Sequence, residues 1–290
     1  MFKIIHKQIL AQDIKRLDIS VPLIAAKVQP GQFVMVTPLA RARSIPMTVV
    51  DSDERKGSIS LIVHEVGDVT RQLGQMSIGD LVHNIVGPLG GPAMIDQYGV
   101  VICVATGIGA AQILPICRAL KKKGNKIIGI VGAKSKNVLM LESQMRVVCD
   151  EMFITTNDGS YERKGLASQV LKELLNKFQV KAVYAIGSVE MMRSAVQMAR
   201  EKEIPVRVTL NPYMSNGLGL CGSCRVRVGG GFKLACVDGP EFNGYDVDFT
   251  DYDRRIQAVE GIWEQTNQPI SRPKQGFTTL VKSLWGSVKK

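Results

Sequence analysis

Three of the six cysteines lie close together near the end of the chain, in the segment CGSCRVRVGGGFKLAC from Cys221 to Cys236. Their spacing, C-x2-C-x11-C, gathers soft thiolate donors, which hold Zn²⁺ or iron–sulfur clusters. Either centre takes four protein ligands, and three thiols leave one position open. The plant-type [2Fe–2S] spacing, C-x4-C-x2-C…C, puts the first ligand at Asn216.

The surroundings of these cysteines favour an iron–sulfur cluster over zinc. Glycines at positions 217, 219 and 222 suit a loop that points backbone N–H groups at the sulfides of a cluster. The chain's three histidines all lie before residue 98, far from the cysteines. We therefore predict metal ligation by Cys221, Cys224, Cys236 and Asn216, with zinc and a metal-free thiol turn as alternatives.

The other three cysteines lie in or beside apolar segments. They are predicted to be ordinary core cysteines: Cys103, Cys117 and Cys149.

A second constellation lies in VICVATGIGAAQ, where Thr106, Gly107 and Gly109 separate an apolar strand from a helix. Glycine lets the backbone approach a phosphate, and a helix N-terminus offers unpaired N–H groups and positive potential. Two glycines do not make a full G-x-G-x-x-G fingerprint, so a plain turn is the alternative. Later strands also end in small or polar residues, where ligands of open parallel sheets bind. Lys134 and Lys136 are candidates for an adenosine phosphate contact or members of a solvated turn.

The order of elements predicts a β-barrel plus an α/β region. Residues 1–97 contain short strands separated by turns, as in a small antiparallel barrel. Residues 98–210 alternate five apolar strands with helices, which indicates a parallel sheet. Residues 211–253 are glycine-rich and form a small cysteine-loop domain. Residues 254–290 form a tail, in which apolar residues after Ser271 fall at helical spacing and predict an amphipathic helix.

Composition narrows the class of protein. The net charge is +11, but the basic residues are scattered and no groove-reading motif appears, so nucleic acid is not an expected partner. No apolar run approaches 18 residues, so no membrane span is expected. The first residues lack the pattern of a signal peptide, which predicts a cytoplasmic protein with reduced thiols.

Barrel, parallel domain and cysteine loop together resemble the ferredoxin–NADP reductase superfamily, and within it the branch with an added [2Fe–2S] domain. That branch includes the electron-transfer subunit of class 1B dihydroorotate dehydrogenase. It also includes the small subunit of the electron-bifurcating NADH-dependent reduced ferredoxin:NADP⁺ oxidoreductase, or sulfide dehydrogenase. The resemblance covers about residues 3–253, and LNPYMSNGLGLCGSCRVRVGGGFKLACVDGPEFNGYDVDF is its most specific stretch.

The resemblance implies FAD, a [2Fe–2S] cluster and NAD(H) or NADP(H) as cofactors. RSIPMTVVD resembles the flavin-binding strand, although Arg43 precedes Ile-Pro by one extra residue. LIVHEVGDVTRQL resembles the segment that cradles the FAD pyrophosphate. ATGIG, NDGS and AIGSVEMM resemble the loops that bind NAD. The implied cofactor contacts, besides Thr106, Gly107 and Gly109, are Arg43, Pro46, Met47, Thr48, Ile62, Val63, Gly67, Val69, Thr70, Asp158, Gly187 and Met191.

The fourth cluster ligand stays open within the resemblance. The bifurcating subunit usually has aspartate at this position and the dihydroorotate subunit has cysteine, whereas this chain has Asn216. A neutral amide oxygen is the weaker donor to Fe(III), and the loss of a negative charge predicts a higher reduction potential. Either Asn216 ligates, or another donor such as the Ser215 hydroxyl or water does, or the cluster is labile.

The implied function is a relay of electrons from NAD(P)H through FAD and the cluster to a partner chain. No Ser–His–Asp or paired-carboxylate arrangement appears, so no catalytic residues are assigned. The predicted partner is a larger flavoprotein resembling the glutamate synthase small subunit, with ferredoxin as a further candidate. A dihydroorotate dehydrogenase catalytic chain is the alternative. An alternative of another class is a zinc-stabilised nucleotide-binding adaptor without redox activity.

Overall fold

The structure is a computed structural model that describes residues 1–266. The amphipathic helix predicted after Ser271 lies outside the described residues. Among the helices of residues 1–266, none is both long enough and apolar enough to cross a membrane.

The N-terminal part consists of two antiparallel sheets that share one apolar core, as in an open barrel. The five-stranded sheet has the order β5-β6-β2-β1-β7, and the three-stranded sheet has the order β4-β3-β8. Val34 and Met47 from the smaller sheet pack with Leu17 and Leu61 from the larger one. The elements are β1 (Phe2–Ala11), β2 (Ile14–Ser20), α1 (Pro22–Ala25), β3 (Phe33–Thr37), β4 (Ile45–Thr48), β5 (Asp51–Asp53), β6 (Ser58–His64), α2 (Asp68–Gln75), β7 (Leu81–Val82) and β8 (Asn84–Leu89).

The middle part is a sheet of parallel strands covered by helices. Its central strands are apolar and buried along nearly their whole length, because helices cover both faces of the sheet. The elements are β9 (Val100–Thr106), α3 (Gly109–Lys122), β10 (Lys126–Ala133), α4 (Glu142–Val148), β11 (Glu151–Thr156), β12 (Arg163–Lys164), α5 (Ala167–Lys177), β13 (Ala182–Ile186), α6 (Val189–Arg200) and β14 (Val206–Thr209).

The C-terminal part contains a hairpin, one more strand and a helix: β15 (Arg225–Val228), β16 (Gly231–Leu234), β17 (Glu241–Asn243) and α7 (Phe249–Thr266). Strand β17 pairs antiparallel with β14 and completes a sheet of order β12-β11-β10-β9-β13-β14-β17. The cysteine segment therefore contributes a strand to the sheet of the preceding part, which the sequence pattern did not predict.

The sheet order locates the crevice in which a nucleotide would lie. Strand β9 has β10 on one side and β13 on the other, so the chain reverses its direction of winding between β9 and β13. Ligands of open α/β sheets bind at such a switch point, beyond the carboxyl ends of the strands. Here the switch point lies between the loop at 106–109 and the loop at 187–188.

Candidate functional site

A cleft of about 300 Å³ lies where the three parts of the chain meet. Strands β4 and β6 and helix α2 form one wall, the start of α3 forms another, and the segment after β14 forms the third. Its lining is mostly apolar with a few polar side chains, which suits a flat aromatic ring. The lining includes Pro46, Met47, Thr48, Ile62, His64, Thr70, Ile108, Gln112, Thr209, Asn211, Pro212, Met214 and Pro240.

The residues predicted to contact flavin divide between the cleft and its supports. Side chains alternate along β6, so Ile62 lines the cleft whereas Val63 is fully buried in the barrel core. Val63 therefore does not line the cleft, and its contact with the cofactor stays a prediction. His64, on the same face of β6 as Ile62, also lines the cleft.

Helix α2 begins beside the cleft. The backbone N–H of Gly67 donates to Thr70 Oγ1 at 2.9 Å, and Thr70 Oγ1 is 2.9 Å from the Gly67 carbonyl oxygen. Thr70 thus satisfies the helix start and also lines the cleft. Gly67 and Val69 support this turn without lining the cleft, and Arg43 is exposed in the loop before β4.

The two glycine-containing loops at the switch point are in direct contact. Thr106 Oγ1 accepts a hydrogen bond of 2.9 Å from the Ser188 backbone N–H. A Cβ atom on Gly187, whose φ is +150°, would lie 2.0 Å from Thr106 Oγ1. A Cβ on Gly109 would lie 2.4 Å from the Ile186 carbonyl oxygen. Glycine is required at both positions because the start of α3 packs against the end of β13.

The remaining predicted nucleotide contacts differ in exposure. Asp158 is exposed at the end of β11, and the hydroxyl and backbone N–H of Ser160 donate to its carboxylate and lower its pKa. Met191 lies in the first turn of α6 with its side chain buried, and its backbone N–H donates to Ser188 Oγ at 3.3 Å. Met191 therefore packs beneath the loop at 187–188 and helps to hold it, whereas Gly107 and Asp158 are exposed and accessible to a ligand.

Two of the three clustered cysteines form a buried pair. The sulfur atoms of Cys224 and Cys236 lie 3.2 Å apart, close enough to bind one iron. Burial, together with the neighbouring Cys224, raises the pKa of the Cys236 thiol to about 11. Both side chains belong to the same core as Met35 of the barrel and Val208 of the sheet. The pair is therefore held by packing from all parts of the chain.

Cys221 lies in an exposed loop that is lined with donors. The hydroxyl and backbone N–H of Ser223, followed by the N–H groups of Asn216 and Ser215, lower the pKa of the Cys221 thiol. The Asn216 Oδ1 atom accepts a hydrogen bond of 3.0 Å from the Leu218 N–H. The loop thus lowers the pKa of Cys221, while the Asn216 side chain is bonded to the backbone N–H of Leu218.

This donor arrangement fits a binuclear cluster. No three His, Cys, Asp or Glu side chains between residues 1 and 259 are gathered as a single metal ion requires. A [2Fe–2S] cluster instead divides four ligands between two irons, and the sulfur atoms of Cys224 and Cys236 are close enough to form such a pair. Cys221, exposed and with a lowered pKa, could serve a second iron.

A polar cluster at the cleft was missed from the sequence. Gln112 Nε2 donates to Asn211 Oδ1 at 2.8 Å and to Thr48 Oγ1 at 3.3 Å, and Asn211 Nδ2 donates to Gln112 Oε1 at 2.9 Å. The Asn211 N–H donates to the Tyr252 hydroxyl at 2.9 Å. The only sequence signal was the position of Gln112 and Asn211, just after the ends of parallel strands.

A buried carboxyl group lies behind the cleft on β17. Glu241 Oε1 accepts a hydrogen bond of 3.0 Å from the Met94 N–H, and within the described residues its buried Oε2 atom has no partner. Burial raises the pKa of Glu241 to about 7, although the Met94 N–H and Arg207 act in the opposite direction. Glu241 follows Pro240, which lines the cleft, so this carboxyl group joins the linker after the barrel to the cysteine segment.

Comparison with protein families matches two segments of the chain. The model of an oxidoreductase FAD-binding domain matches residues 1–92. The model of the iron–sulfur cluster binding domain of dihydroorotate dehydrogenase B matches residues 211–248, which span all three clustered cysteines. The second match supports iron–sulfur ligation over the zinc alternative.

Comparison with single proteins covers most of the chain. A dihydroorotate dehydrogenase B (NAD(+)) electron transfer subunit homolog of Thermotoga maritima is 37% identical, over 88% of this chain and 90% of that protein. An uncharacterized Clostridium beijerinckii protein from the adh 3′ region is 38% identical, over 88% and 89%.

Solved structures confirm the predicted fold class. A chain of an NADH-dependent reduced ferredoxin-NADP oxidoreductase, studied for flavin-based electron bifurcation, superposes with a TM-score of 0.85. It is 34% identical, over 92% of this chain and 98% of that chain. Phthalate dioxygenase reductase, at 15% identity and a TM-score of 0.56 over 78% and 85%, shares the fold.

Proposed function

This chain belongs to the family of dihydroorotate dehydrogenase B electron-transfer subunits and their homologues, and on that premise we propose how it works. It is an oxidoreductase subunit with an FAD-binding domain and an iron–sulfur domain. We propose that it takes a hydride from NAD(P)H and delivers the two electrons singly to a larger partner subunit. The bound FAD and [2Fe–2S] cluster supply the change from two-electron to one-electron chemistry.

The observation that supports this proposal is the junction of the three parts at one cleft. Barrel residues Pro46 to Thr48 face the start of α3 and the segment that leads from Asn211 to the cysteine loop. That loop packs on the barrel, since a Cβ on Gly217 would lie 2.7 Å from Met35 Cγ. A ring in the cleft would therefore lie between the nucleotide crevice and the cysteine pair.

The chain's own residues bind and orient in this scheme. Met47, Thr48, Ile62 and Thr70 would contact the flavin, and residues 106–109 with Gly187 would hold the nucleotide phosphates. Cys221, Cys224 and Cys236 would ligate the cluster, with Asn216 or a nearby oxygen donor in the fourth position. No side chain is needed to break or form a bond of the substrate.

The nucleotide is proposed to be NADH. The Asp158 carboxylate is ionised and exposed at the end of β11, two strands from the switch point, where it can accept a hydrogen bond from a ribose hydroxyl and would repel a 2′-phosphate. Lys136 is a candidate for a phosphate contact and would favour NADPH, but its Nζ lies 4.8 Å from the centre of the Tyr161 ring. Its charge is thus directed toward the aromatic face rather than left for a phosphate.

The partner is proposed to be a larger flavoprotein subunit that resembles the glutamate synthase small subunit. The 34% identity and near-complete coverage of the NADH-dependent reduced ferredoxin-NADP oxidoreductase chain support this choice. A dihydroorotate dehydrogenase catalytic chain is the second candidate, because curated relatives are described as its electron-transfer subunits.

The test begins with anaerobically purified protein. We expect one FAD, two irons and two acid-labile sulfides per chain, a rhombic S = 1/2 EPR signal after dithionite, and bleaching of the flavin by NADH. Absence of flavin would refute the proposal, and colourless protein with bound zinc would support the adaptor alternative. Copurification of the partner, followed by assays with dihydroorotate or with ferredoxin and NADP⁺, separates the two partner candidates.

A further inference from the structure

The amide pair formed by Gln112 and Asn211 connects all three parts of the chain across the cleft. Gln112 lies in the first turn of α3, and Asn211 begins the segment that leads to the cysteines. Their side chains exchange two hydrogen bonds of 2.8 and 2.9 Å. The second N–H of Gln112 reaches Thr48 Oγ1, at the end of β4 in the barrel.

Asn211 is held from both of its sides. Its backbone N–H donates to the hydroxyl of Tyr252, a buried residue of α7. Its side chain is fixed by Gln112. Asn211 is therefore anchored to both α3 and α7. The segment that begins at Asn211 continues through Met214, which also lines the cleft, to the cysteine loop.

The pair uses most but not all of the hydrogen-bonding capacity of its two amides. Each primary amide has two N–H donors and a carbonyl oxygen with two lone pairs. Gln112 uses both donors, whereas Asn211 Nδ2 uses one. Because both residues line the cleft, the unused Asn211 donor and the second lone pairs would be available to a ring bound there.

We propose that Gln112 and Asn211 are positioning residues that hold the cluster-bearing segment at a fixed place beside the flavin, and this inference rests on the proposed function. The pair should therefore affect the rate of electron transfer from flavin to cluster more than the rate of hydride transfer from the nucleotide to the flavin. Losing the two hydrogen bonds between Gln112 and Asn211 should lower the population of the arrangement in which the segment after Asn211 is held against α3 by a factor on the order of ten.

The test compares two steps in the intact holoprotein. Gln112→Met and Asn211→Leu remove each amide at similar side-chain size, and rapid mixing with NADH follows flavin bleaching and cluster bleaching separately. We expect the cluster step to slow about tenfold more than the flavin step. The double variant should be no slower than the slower single variant, since both changes break the same interaction between Gln112 and Asn211. Equal slowing of both steps, no slowing, or multiplying effects would overturn the inference.

A charge variant gives a readout that simple packing would not change. Gln112→Glu retains an acceptor for Asn211 Nδ2 and adds a carboxylate at the cleft. A negative charge there disfavours added electrons, so the flavin midpoint potential should fall. The matched variant Gln8→Glu, on the exposed outer face of β1, should leave it unchanged. An unchanged potential in Gln112→Glu would overturn the placement of this residue beside the flavin.

The outcomes also separate this inference from the proposed function. If neither NADH nor NADPH bleaches the flavin of the unaltered protein, the proposed function fails. If the unaltered protein relays electrons and Gln112→Met does so with the same ratio of the two rates, only the role of the amide pair fails.

Discussion

Replacing Glu241 with glutamine should remove a pH-dependent part of the stability of this protein. The buried carboxyl group has a pKa of about 7, above the ordinary value of 4.5. The amide of the substituted glutamine would keep the acceptor for the Met94 N–H and would stay neutral at every pH. The two proteins should therefore differ in how their stability changes with pH.

The sign follows from proton binding. The folded state holds its Glu241 proton up to a higher pH than the unfolded state, so this group's contribution is complete below about pH 4.5 and lost as the pH rises through about 7. The gap between the two pKa values, about 2.5, corresponds to about 3 kcal/mol at 1.36 kcal/mol per unit. Arg207 and Tyr184 are the charged or titratable groups that interact electrostatically with this carboxyl group, and Arg207 stabilises its ionised form.

The assay is urea unfolding of the holoprotein at several pH values between 5 and 8. Relative to the unaltered protein, Glu241→Gln should gain up to about 3 kcal/mol of unfolding free energy across this range. Other titrating groups cancel in the comparison. Glu201→Gln, at an exposed position after α6, is the matched control and should run parallel to the unaltered protein. Parallel curves for Glu241→Gln as well would refute the raised pKa.

Three further changes test the cluster and nucleotide sites. Asn216→Cys should complete a four-thiolate set, raise iron retention and lower the cluster potential by adding a negative charge, as measured by iron analysis and EPR-monitored titration; an unchanged potential would place position 216 outside the ligand set. Cys224→Ala should abolish the EPR signal, whereas Cys117→Ala, a buried cysteine away from the site, should retain it. Gly187→Ala should destabilise the fold by about 1–3 kcal/mol and weaken NADH binding, because its Cβ would overlap Thr106 Oγ1; a dissociation constant equal to that of the unaltered protein would contradict the close approach.

Local patterns predicted much of the fold. The apolar runs of β9, β10 and β13 indicated strands buried on both faces, and the glycines at the end of β9 indicated a close turn. Strand periodicity also carried information that the predicted set of contacts did not use. Ile62 and Val63 are adjacent, so they point to opposite faces of β6: Ile62 lines the cleft and Val63 packs in the barrel core.

Contacts distant in sequence gave no such signal. Gln112 and Asn211 are 99 positions apart, and nothing in either neighbourhood specifies the other. The pairing of β17 with β14 depends on how the cysteine segment folds back. The three residues of β17 alone do not encode that path. The burial of Glu241 depends in the same way on the path of the linker near Met94.

The position of β17 at the edge of the sheet has a consequence for folding during synthesis. Until residues 241–243 have left the ribosome and folded back, β14 presents an unpaired row of N–H and C=O groups, which invites association with other chains. The cysteines precede β17 in the chain, so all three are synthesised before this edge is closed. A chain shortened before Glu241 would therefore keep all three clustered cysteines but leave the edge of β14 unpaired.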